Sequence, residues 1–166
     1  TMVFRENSKV SEIIVNLELE PLFPEGGYYR ETYRSADTLL SGRNLSTTIL
    51  YLLTPNTLSR LHRLDSDEVY TFLLGDPVKM LLLTPSGRGE ILHLGKGLST
   101  KTLFHVVVPR QTWQGFSLVP GGEYALLTTT VSPGFSPKGF DLGKREELKR
   151  LFPDYQEEIE LLTTDL

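Results

Sequence analysis

The sequence contains no cysteine. Disulfide bonds, thiolate metal sites and cysteine nucleophiles are therefore excluded, and the composition permits a reducing compartment. No apolar run approaches the roughly 20 residues that a membrane-spanning helix needs. Residues 1–5 also lack the apolar segment of a signal peptide. We therefore expect a cytoplasmic protein that does not bind membranes.

The chain also has little net charge. Its 17 Lys and Arg residues stand against 21 Asp and Glu residues, which gives a formal net charge of −4. Such a chain has no basic field that would attract a phosphate backbone, so we expect no nucleic-acid partner. With 166 residues it is long enough to bury a core of its own, and we predict a single domain over residues 1–166.

Short runs of β-branched, aromatic and leucine residues follow one another through the middle of the chain, separated by Pro and Gly turn signals. Eight such runs occur, at 45–53, 58–61, 68–74, 78–83, 88–94, 102–108, 112–118 and 124–131. No helical pattern interrupts them. The spacing therefore predicts an all-β sandwich or barrel and not a series of βαβ units.

Helical patterns are confined to the two ends of the chain. Apolar residues at i, i+3, i+4 and i+7 from Val10 predict a short helix within residues 1–20. Residues 143–166 predict two further helices separated by Pro153, which we expect to cover an end or edge of the barrel. Residues 21–142 are left for the barrel and for a Pro/Gly/aromatic-rich arm that precedes it.

Three histidines are available for chemistry. His93 and His105 lie in strand-like patterns and are typical of surface or structurally hydrogen-bonded side chains. His62 differs, because several acidic residues follow it closely, ending at Glu68. A histidine and a carboxylate that share a cavity support acid–base chemistry or metal binding. A surface turn gives the same local pattern, so the pattern alone does not decide between them.

The segment around His62 resembles the first sequence motif of the cupins, G(x)5HxH(x)3-4E(x)6G. His62, Glu68 and Gly75 match its first His, its Glu and its last Gly. Leu64 stands where the motif has its second His. One metal-ligand position of this motif is therefore lost.

Residues 109–114 fall in register with the PxGxxH part of the second cupin motif. Gln111 replaces the Gly and Gln114 replaces the metal-binding His. Together with Leu64, this leaves two of the usual four ligand positions without an imidazole. Because metal affinity follows the type and number of ligands, we predict no metal site and no cofactor.

Two further strings, 25–33 and 133–135, are similar to those of one cupin group. The chain resembles the small, largely uncharacterised proteins of the RmlC-like cupin superfamily that are compared with the deoxysugar epimerases of dTDP-rhamnose synthesis. The resemblance runs from about Val10 to Leu142. It implies a double-stranded β-helix, or jelly roll, with short helices at its ends, and usually a homodimer, for which the arm 22–33 is our candidate contact. It brings no settled activity.

For such a pocket the resemblance implies a metal-independent reaction. His62 would remove a proton next to a carbonyl, an acid such as Glu68 would orient it, and a tyrosine would return a proton. This requires His62, Glu68 and Gln114 to share the interior of the barrel. The side chains that we expect to contact a ligand are Tyr29, Arg30, Tyr33, Tyr51, Trp113 and Gln114.

Several of these side chains have a second interpretation. Arg30 and Arg34 form a fork suited to a pyrophosphate or a carboxylate, or Arg30 pairs with Glu31 or Glu68 while the tyrosines fill a dimer interface. Trp113 either stacks on a ligand or closes the barrel. Three hypotheses follow. The first is a sugar or nucleotide-sugar isomerase or epimerase, and the second is a non-catalytic module that binds a small polar metabolite. The third is a metal-dependent cupin enzyme, which the loss of two imidazole ligands disfavours.

Overall fold

The computed structural model describes residues 8–97 and 102–165. The helices are α1 (Ser8–Asn16), α2 (Arg145–Leu151) and α3 (Gln156–Leu161). The strands are β1 (Glu20–Pro21), β2 (Tyr28–Arg34), β3 (Thr47–Leu53), β4 (Ser59–Leu64), β5 (Asp67–Gly75), β6 (Val78–Leu83), β7 (Gly89–Leu94), β8 (His105–Val108), β9 (Trp113–Leu118), β10 (Ala125–Ser132) and β11 (Phe140–Leu142). None of the described helices is long and apolar enough to cross a membrane.

The strands form two antiparallel sheets. One sheet has six strands in the order β1-β2-β3-β10-β5-β8, and the other has five in the order β11-β4-β9-β6-β7. Consecutive strands alternate between the sheets from β3 to β6 and again from β7 to β11. As a result, β10 pairs with both β3 and β5. The predicted all-β jelly roll with short terminal helices is confirmed. The eight predicted runs correspond to β3 to β10, whereas β2 lies in the arm, where the sequence predicted no strand.

The main core fills the space between the two sheets. Its buried side chains are Tyr51, Leu53, Tyr70, Phe72, Val78, Met80, Leu82, Leu94, Val106, Val108, Phe116, Ala125 and Leu127. Removing one large side chain of this kind from water contributes about 2 kcal/mol. The positions alternate along each strand because successive side chains point to opposite faces of a sheet. On each strand, only the side chains that point between the two sheets can pack in this core or line a cavity inside the barrel.

The helices cover the outer faces of the sheets. Helix α1 packs on Leu52 and Leu126 of the six-stranded sheet. Helices α2 and α3 pack on Leu81 and Leu83 of the five-stranded sheet, and not on an end or edge of the barrel as we expected. A strand with both faces covered needs apolar residues at every position. This explains why 80–83 reads as a continuous apolar run without alternation.

Candidate functional site

A cavity of about 580 Å³ lies inside the barrel beneath the arm. Ligand pockets for small molecules span roughly 300–1,000 Å³, so the volume suits a small metabolite. The strands β2, β3, β4, β5 and β10 contribute to its wall. It is lined by Leu22, Phe23, Pro24, Glu25, Tyr29, Glu31, Arg34, Thr47, Ile49, His62, Leu64, Glu68, Thr129, Val131, Phe135, Pro137 and Phe140.

A β-bulge in β4 determines which of its side chains reach the arm. Ser59 pairs with Phe116 of β9 and His62 pairs with Gln114, so β4 holds one more residue than its partner over this stretch. In a regular strand, side chains three residues apart point to opposite faces. The extra residue re-aims the strand, and both Ser59 and His62 contact the carboxylate of Glu25.

The imidazole of His62 is buried and held by both of its nitrogens. Its Nδ1 lies 2.7 Å from the backbone oxygen of Arg60. A carbonyl oxygen only accepts hydrogen bonds, so Nδ1 carries a hydrogen and donates it. The second nitrogen, Nε2, lies 3.2 Å from Oε1 of Glu25. Either the ring is doubly protonated and donates to the carboxylate, or Glu25 is protonated and donates to Nε2.

One face of the imidazole is closed by an aromatic ring. Phe140 of β11 stacks on His62 with ring centroids 5.3 Å apart and an angle of 18° between the planes. The pairing of β11 with β4 places Leu142 opposite His62 and Phe140 opposite Leu64. The His62–Glu25 pair therefore sits at the wall of the cavity, sheltered from water by an apolar neighbour. Low local dielectric strengthens its hydrogen bond.

A chain of buried hydrogen bonds links three side chains of β5 and β9. The hydroxyl of Tyr70 donates to Oε1 of Gln114 over 2.6 Å, and Nε2 of Gln114 donates to Oε2 of Glu68 over 3.0 Å. Burial raises the pKa of Tyr70 well above its usual value, which keeps the phenol a donor. The structure thus brings together His62, Glu68 and Gln114, as the resemblance implied.

Glu68 is a carboxyl group in an apolar setting. Burial raises its pKa to about 7, and the nearby carboxylate of Glu25 adds to this rise. His62, Thr129 and Gln114 act in the opposite direction by favouring the charged form. Glu68 therefore changes its charge near neutral pH. Such shifted groups are frequent in functional sites.

Tyr51 holds the arm against the barrel. Its buried hydroxyl donates to the backbone oxygen of Gly26 over 2.6 Å. The next residue, Gly27, has φ +75°, and a Cβ there would collide with the hydroxyl of Tyr51. Only glycine adopts this backbone conformation without strain and leaves room for the phenol. Tyr51 is absent from the described cavity lining, and its contacts position the segment that carries Glu25.

A second bulge, in β2, sorts the side chains of the arm. Tyr29 and Glu31 line the cavity, but between Glu31 and Tyr33 the strand gains one residue against β3. Beyond this bulge Arg34 lines the cavity and Tyr33 points outward, 55% exposed. Arg30 also lies outside the described lining and pairs with Glu18 over 3.5 Å, and not with Glu31 or Glu68.

Trp113 lies on the other face of β9 from Gln114. It packs with the cluster under the C-terminal helices, and the guanidinium of Arg63 sits 4.6 Å from its ring centroid. It is absent from the described lining of the cavity, so the contacts shown are those of a barrel-closing residue. Gln114 is also absent from that lining. A ligand contact for Arg30, Tyr33 or Trp113, and equally for Tyr51 or Gln114, stays a prediction without support from these positions.

Two residues of the site were missed by the sequence argument. Glu25 lies in the predicted arm and was assigned no role, because no local pattern links it to His62. Thr129 lies in the predicted run 124–131 and was assigned no role. Its hydroxyl lies near Glu68 and favours the charged carboxyl, yet it meets no acceptor at hydrogen-bond distance and angle among the described residues.

A family model described as "Cupin superfamily (DUF985)" matches residues 11–143. The chain belongs to this cupin family. The cupin is 29% identical over 146 residues to the uncharacterized protein YML079W of Saccharomyces cerevisiae, which covers 76% of this chain and 72% of the yeast protein. The match agrees with the resemblance drawn from the two broken motifs.

Solved structures place the cupin among proteins of the same fold. Protein SO0799 from Shewanella oneidensis matches with a TM-score of 0.86 at 29% identity, covering 94% of this chain and 98% of that one. A hypothetical protein from Leishmania major matches with a TM-score of 0.85 at 30% identity, covering 93% and 98%. Oxalate decarboxylase from Bacillus subtilis matches at 18% identity with a TM-score of 0.56, covering 90% of this chain and 39% of that one, and shares the fold alone.

The donor set of this cupin does not fit a divalent metal. Leu64 offers no ligand atom, and the amide of Gln114 is already bonded to Tyr70 and Glu68. With Nδ1 bonded to the backbone of Arg60, His62 has only Nε2 left to offer, and Nε2 is already paired with Glu25. Within residues 8–97 and 102–165, no group of three or more His, Cys, Asp or Glu side chains is arranged to hold a metal ion. A transition metal prefers several imidazole, carboxylate or thiolate ligands.

Proposed function

We propose that this cupin binds a small carbonyl compound in the cavity and moves a proton on it without a metal, as an isomerase or epimerase of the sugar type does. One observation carries the proposal: at the cavity wall, Nε2 of His62 faces the Glu25 carboxylate while Nδ1 is fixed by the backbone of Arg60. One proton is shared between the two groups. When that proton lies on Nε2, the imidazolium of His62 stabilises a Glu25 carboxylate that still has free lone pairs. Such a carboxylate can accept a proton from a carbon next to a carbonyl.

The remaining groups have defined parts in the proposal. Glu68 takes up or releases a proton near neutral pH, since burial raises its pKa to about 7. Tyr29 lines the cavity, and partial burial together with Glu20 raises the pKa of its phenol. It therefore remains a proton donor at neutral pH. Tyr29 is the tyrosine that we assign to the return of the proton.

The test is exchange of α-protons with solvent deuterium, followed by proton NMR. The substrates are dihydroxyacetone, acetoin, 2-hydroxyacetophenone and a nucleotide 4-ketosugar, each with and without EDTA. We expect exchange above the buffer rate for at least one compound, unchanged by EDTA. Exchange that EDTA abolishes, or a stoichiometric transition metal in the purified protein, would overturn the metal-independent mechanism.

A second candidate is a non-catalytic module that senses a small molecule. It is favoured by one observation, that both nitrogens of His62 already have partners within the chain. In that case ligands raise the melting temperature, because they bind only the folded state, but no compound exchanges its α-protons. The exchange experiment therefore separates the two candidates. The cytoplasmic location stays a prediction.

We also propose a homodimer formed through the arm. Strand β1 pairs only with Tyr28 and Tyr29, so Arg30–Arg34 present an outer edge that no described strand covers. Phe23 is 79% exposed and Tyr33 55% exposed. An open strand edge flanked by exposed aromatic rings suits pairing with a second copy.

Light scattering coupled to size exclusion is expected to give about twice the 18.7 kDa mass of the chain. Tyr33→Glu should shift the population to monomer, because a charge at the edge would be buried without a partner. Thr71→Glu, on a strand paired on both sides, is the control and should leave the dimer intact. A monomeric wild type at micromolar concentration contradicts the proposal.

A further inference from the structure

The cavity lining has more acidic than basic side chains. Its carboxyl groups are Glu25, Glu31 and Glu68, and its guanidinium is Arg34. Arg34 donates to both oxygens of Glu31, over 2.7 and 2.9 Å, and to Oδ1 of Asn44 over 2.8 Å. All of its nitrogens are therefore engaged. Among the lining residues, no cation is left to receive an anionic ligand.

The deepest acid of the cavity has only neutral hydrogen-bond partners. Glu25 shares its proton with His62, whereas Glu68 accepts from the uncharged amide of Gln114. Glu68 is 5% exposed. Above about pH 7, where Glu68 is charged, an anion placed beside it would lose its hydration and meet a like charge, both of which oppose binding.

A second polar group, a hydroxyl that lies beside Glu68, also points to a ligand. Thr129 lines the cavity and is 3% exposed, and its Oγ1 has no hydrogen-bond partner within the described part of the chain. Buried polar groups are nearly always satisfied by protein, water or ligand. Thr129 lies on β10, next to the β5 strand that carries Glu68. The two side chains together form one polar end of the cavity.

The rest of the wall is largely apolar. Its apolar members are Leu22, Phe23, Pro24, Ile49, Leu64, Val131, Phe135, Pro137 and Phe140. They come from the arm, from β3, β4 and β10, from the loop before β11, and from the first residue of β11. A ligand that removes this surface from water gains hydrophobic free energy in proportion to the area buried.

We infer that the cavity takes a ligand without negative charge, consisting of an apolar body and a hydrogen-bond-donating head, hydroxyl or ammonium, which Glu68 and Thr129 receive. The inference rests on the proposed binding site and narrows its substrate class. Nucleotide sugars are excluded, because no lining cation is available for their pyrophosphate. An uncharged hydroxycarbonyl compound with an apolar portion fits the same wall.

Isothermal titration calorimetry with three probes of equal shape, at about pH 8, where Glu68 is charged, tests the inference. The probes are 2-naphthalenemethanol, 2-naphthylmethylamine and 2-naphthoate. We expect the alcohol and the amine to bind, with the carboxylate at least roughly tenfold weaker than the alcohol. A preference for the amine identifies an ammonium head, and equal binding of alcohol and amine identifies a hydroxyl head.

Two variants connect the selectivity to Glu68. Glu68→Gln keeps the shape and removes the charge, and should bring naphthoate to within about threefold of the alcohol. Glu90→Gln removes a carboxylate from an exposed position of β7, and should leave the selectivity unchanged. Naphthoate binding as tight as that of the alcohol in the wild type would overturn the inference, as would the absence of binding by all three probes.

The result is separable from the proposed reaction. A chain that binds the alcohol or amine but exchanges no α-protons retains this ligand class and loses the catalytic proposal. If the chain exchanges the α-protons of a nucleotide 4-ketosugar and also binds naphthoate tightly, the catalytic proposal is retained and the inferred ligand class is wrong.

Discussion

Replacing His62 with Asn is expected to lower the α-proton exchange rate by about 10²- to 10⁴-fold, the usual contribution of a positioned acid–base group. The Asn amide can donate to the backbone of Arg60 from nearly the position of Nδ1, so the local backbone keeps its partner. It has no basic atom at the position of Nε2. The proton shared with Glu25 then has nowhere to go but the carboxylate.

Glu25→Gln complements this substitution. It retains the shape of the side chain and an oxygen for Ser59, but it cannot hold a proton opposite Nε2. We expect a loss of the same order as for His62→Asn, and little further loss in the double variant, because the two groups act as one unit.

The matched control is His105→Asn. His105 is exposed on β8 and contacts Thr71, away from the cavity. Exchange by this control should equal that of the wild type. If His62→Asn retained the wild-type rate while Glu25→Gln lost it, the acid alone would be the base. If both variants retained it, the pair would have a structural role only.

Replacing Glu68 with Gln is expected to change how stability depends on pH. The folded-state pKa of Glu68 is about 7, above the ordinary value of 4.5. Between these values the folded protein holds a proton that the unfolded chain releases. The free energy of unfolding of the wild type therefore falls as the pH rises through this window. Above about pH 7 the loss is complete, and its total is about 3 kcal/mol.

The variant lacks this titration and keeps an oxygen that accepts from Gln114. Relative to the wild type, Glu68→Gln should gain about 2 to 3 kcal/mol of stability between about pH 5 and pH 8. Urea unfolding at the two pH values measures the difference. Glu90→Gln serves again as the control and should give parallel curves. A Glu68→Gln curve parallel to that of the wild type would mean that Glu68 titrates at its ordinary pKa.

The spacing of the strand runs predicted an all-β sandwich or barrel. The jelly roll and the meeting of His62, Glu68 and Gln114 were implied by the resemblance to the cupin motifs. Glu25 was not, since its contact with His62 joins residues far apart and depends on the docking of the arm through Tyr51. No local pattern encodes such a contact. For Trp113, in contrast, a local pattern was sufficient. Because side chains alternate along β9, an inward Gln114 already places Trp113 on the outer face.

The orientation of the side chains in the arm has a specific cause. Tyr29 lines the cavity, and alternation alone would put Tyr33 on the same face. The bulge before Tyr33 reverses the pattern, which turns Tyr33 outward and brings in Arg34. Each nitrogen of Arg34, however, already donates to Glu31 or Asn44, so these contacts give no support to the expected anion clamp of Arg30 and Arg34. Position on a strand and availability for a ligand are separate questions.

The bulges in β2 and β4 have a consequence for reading related chains. Each adds a single residue that switches inward and outward positions beyond it, while the core pairs on either side stay in place. Gaining or losing one residue there would exchange several cavity-facing side chains at once without disturbing the barrel. Matching relatives column by column will therefore equate inner with outer positions wherever the bulges differ, and ligand preference can diverge between chains whose backbones superpose closely.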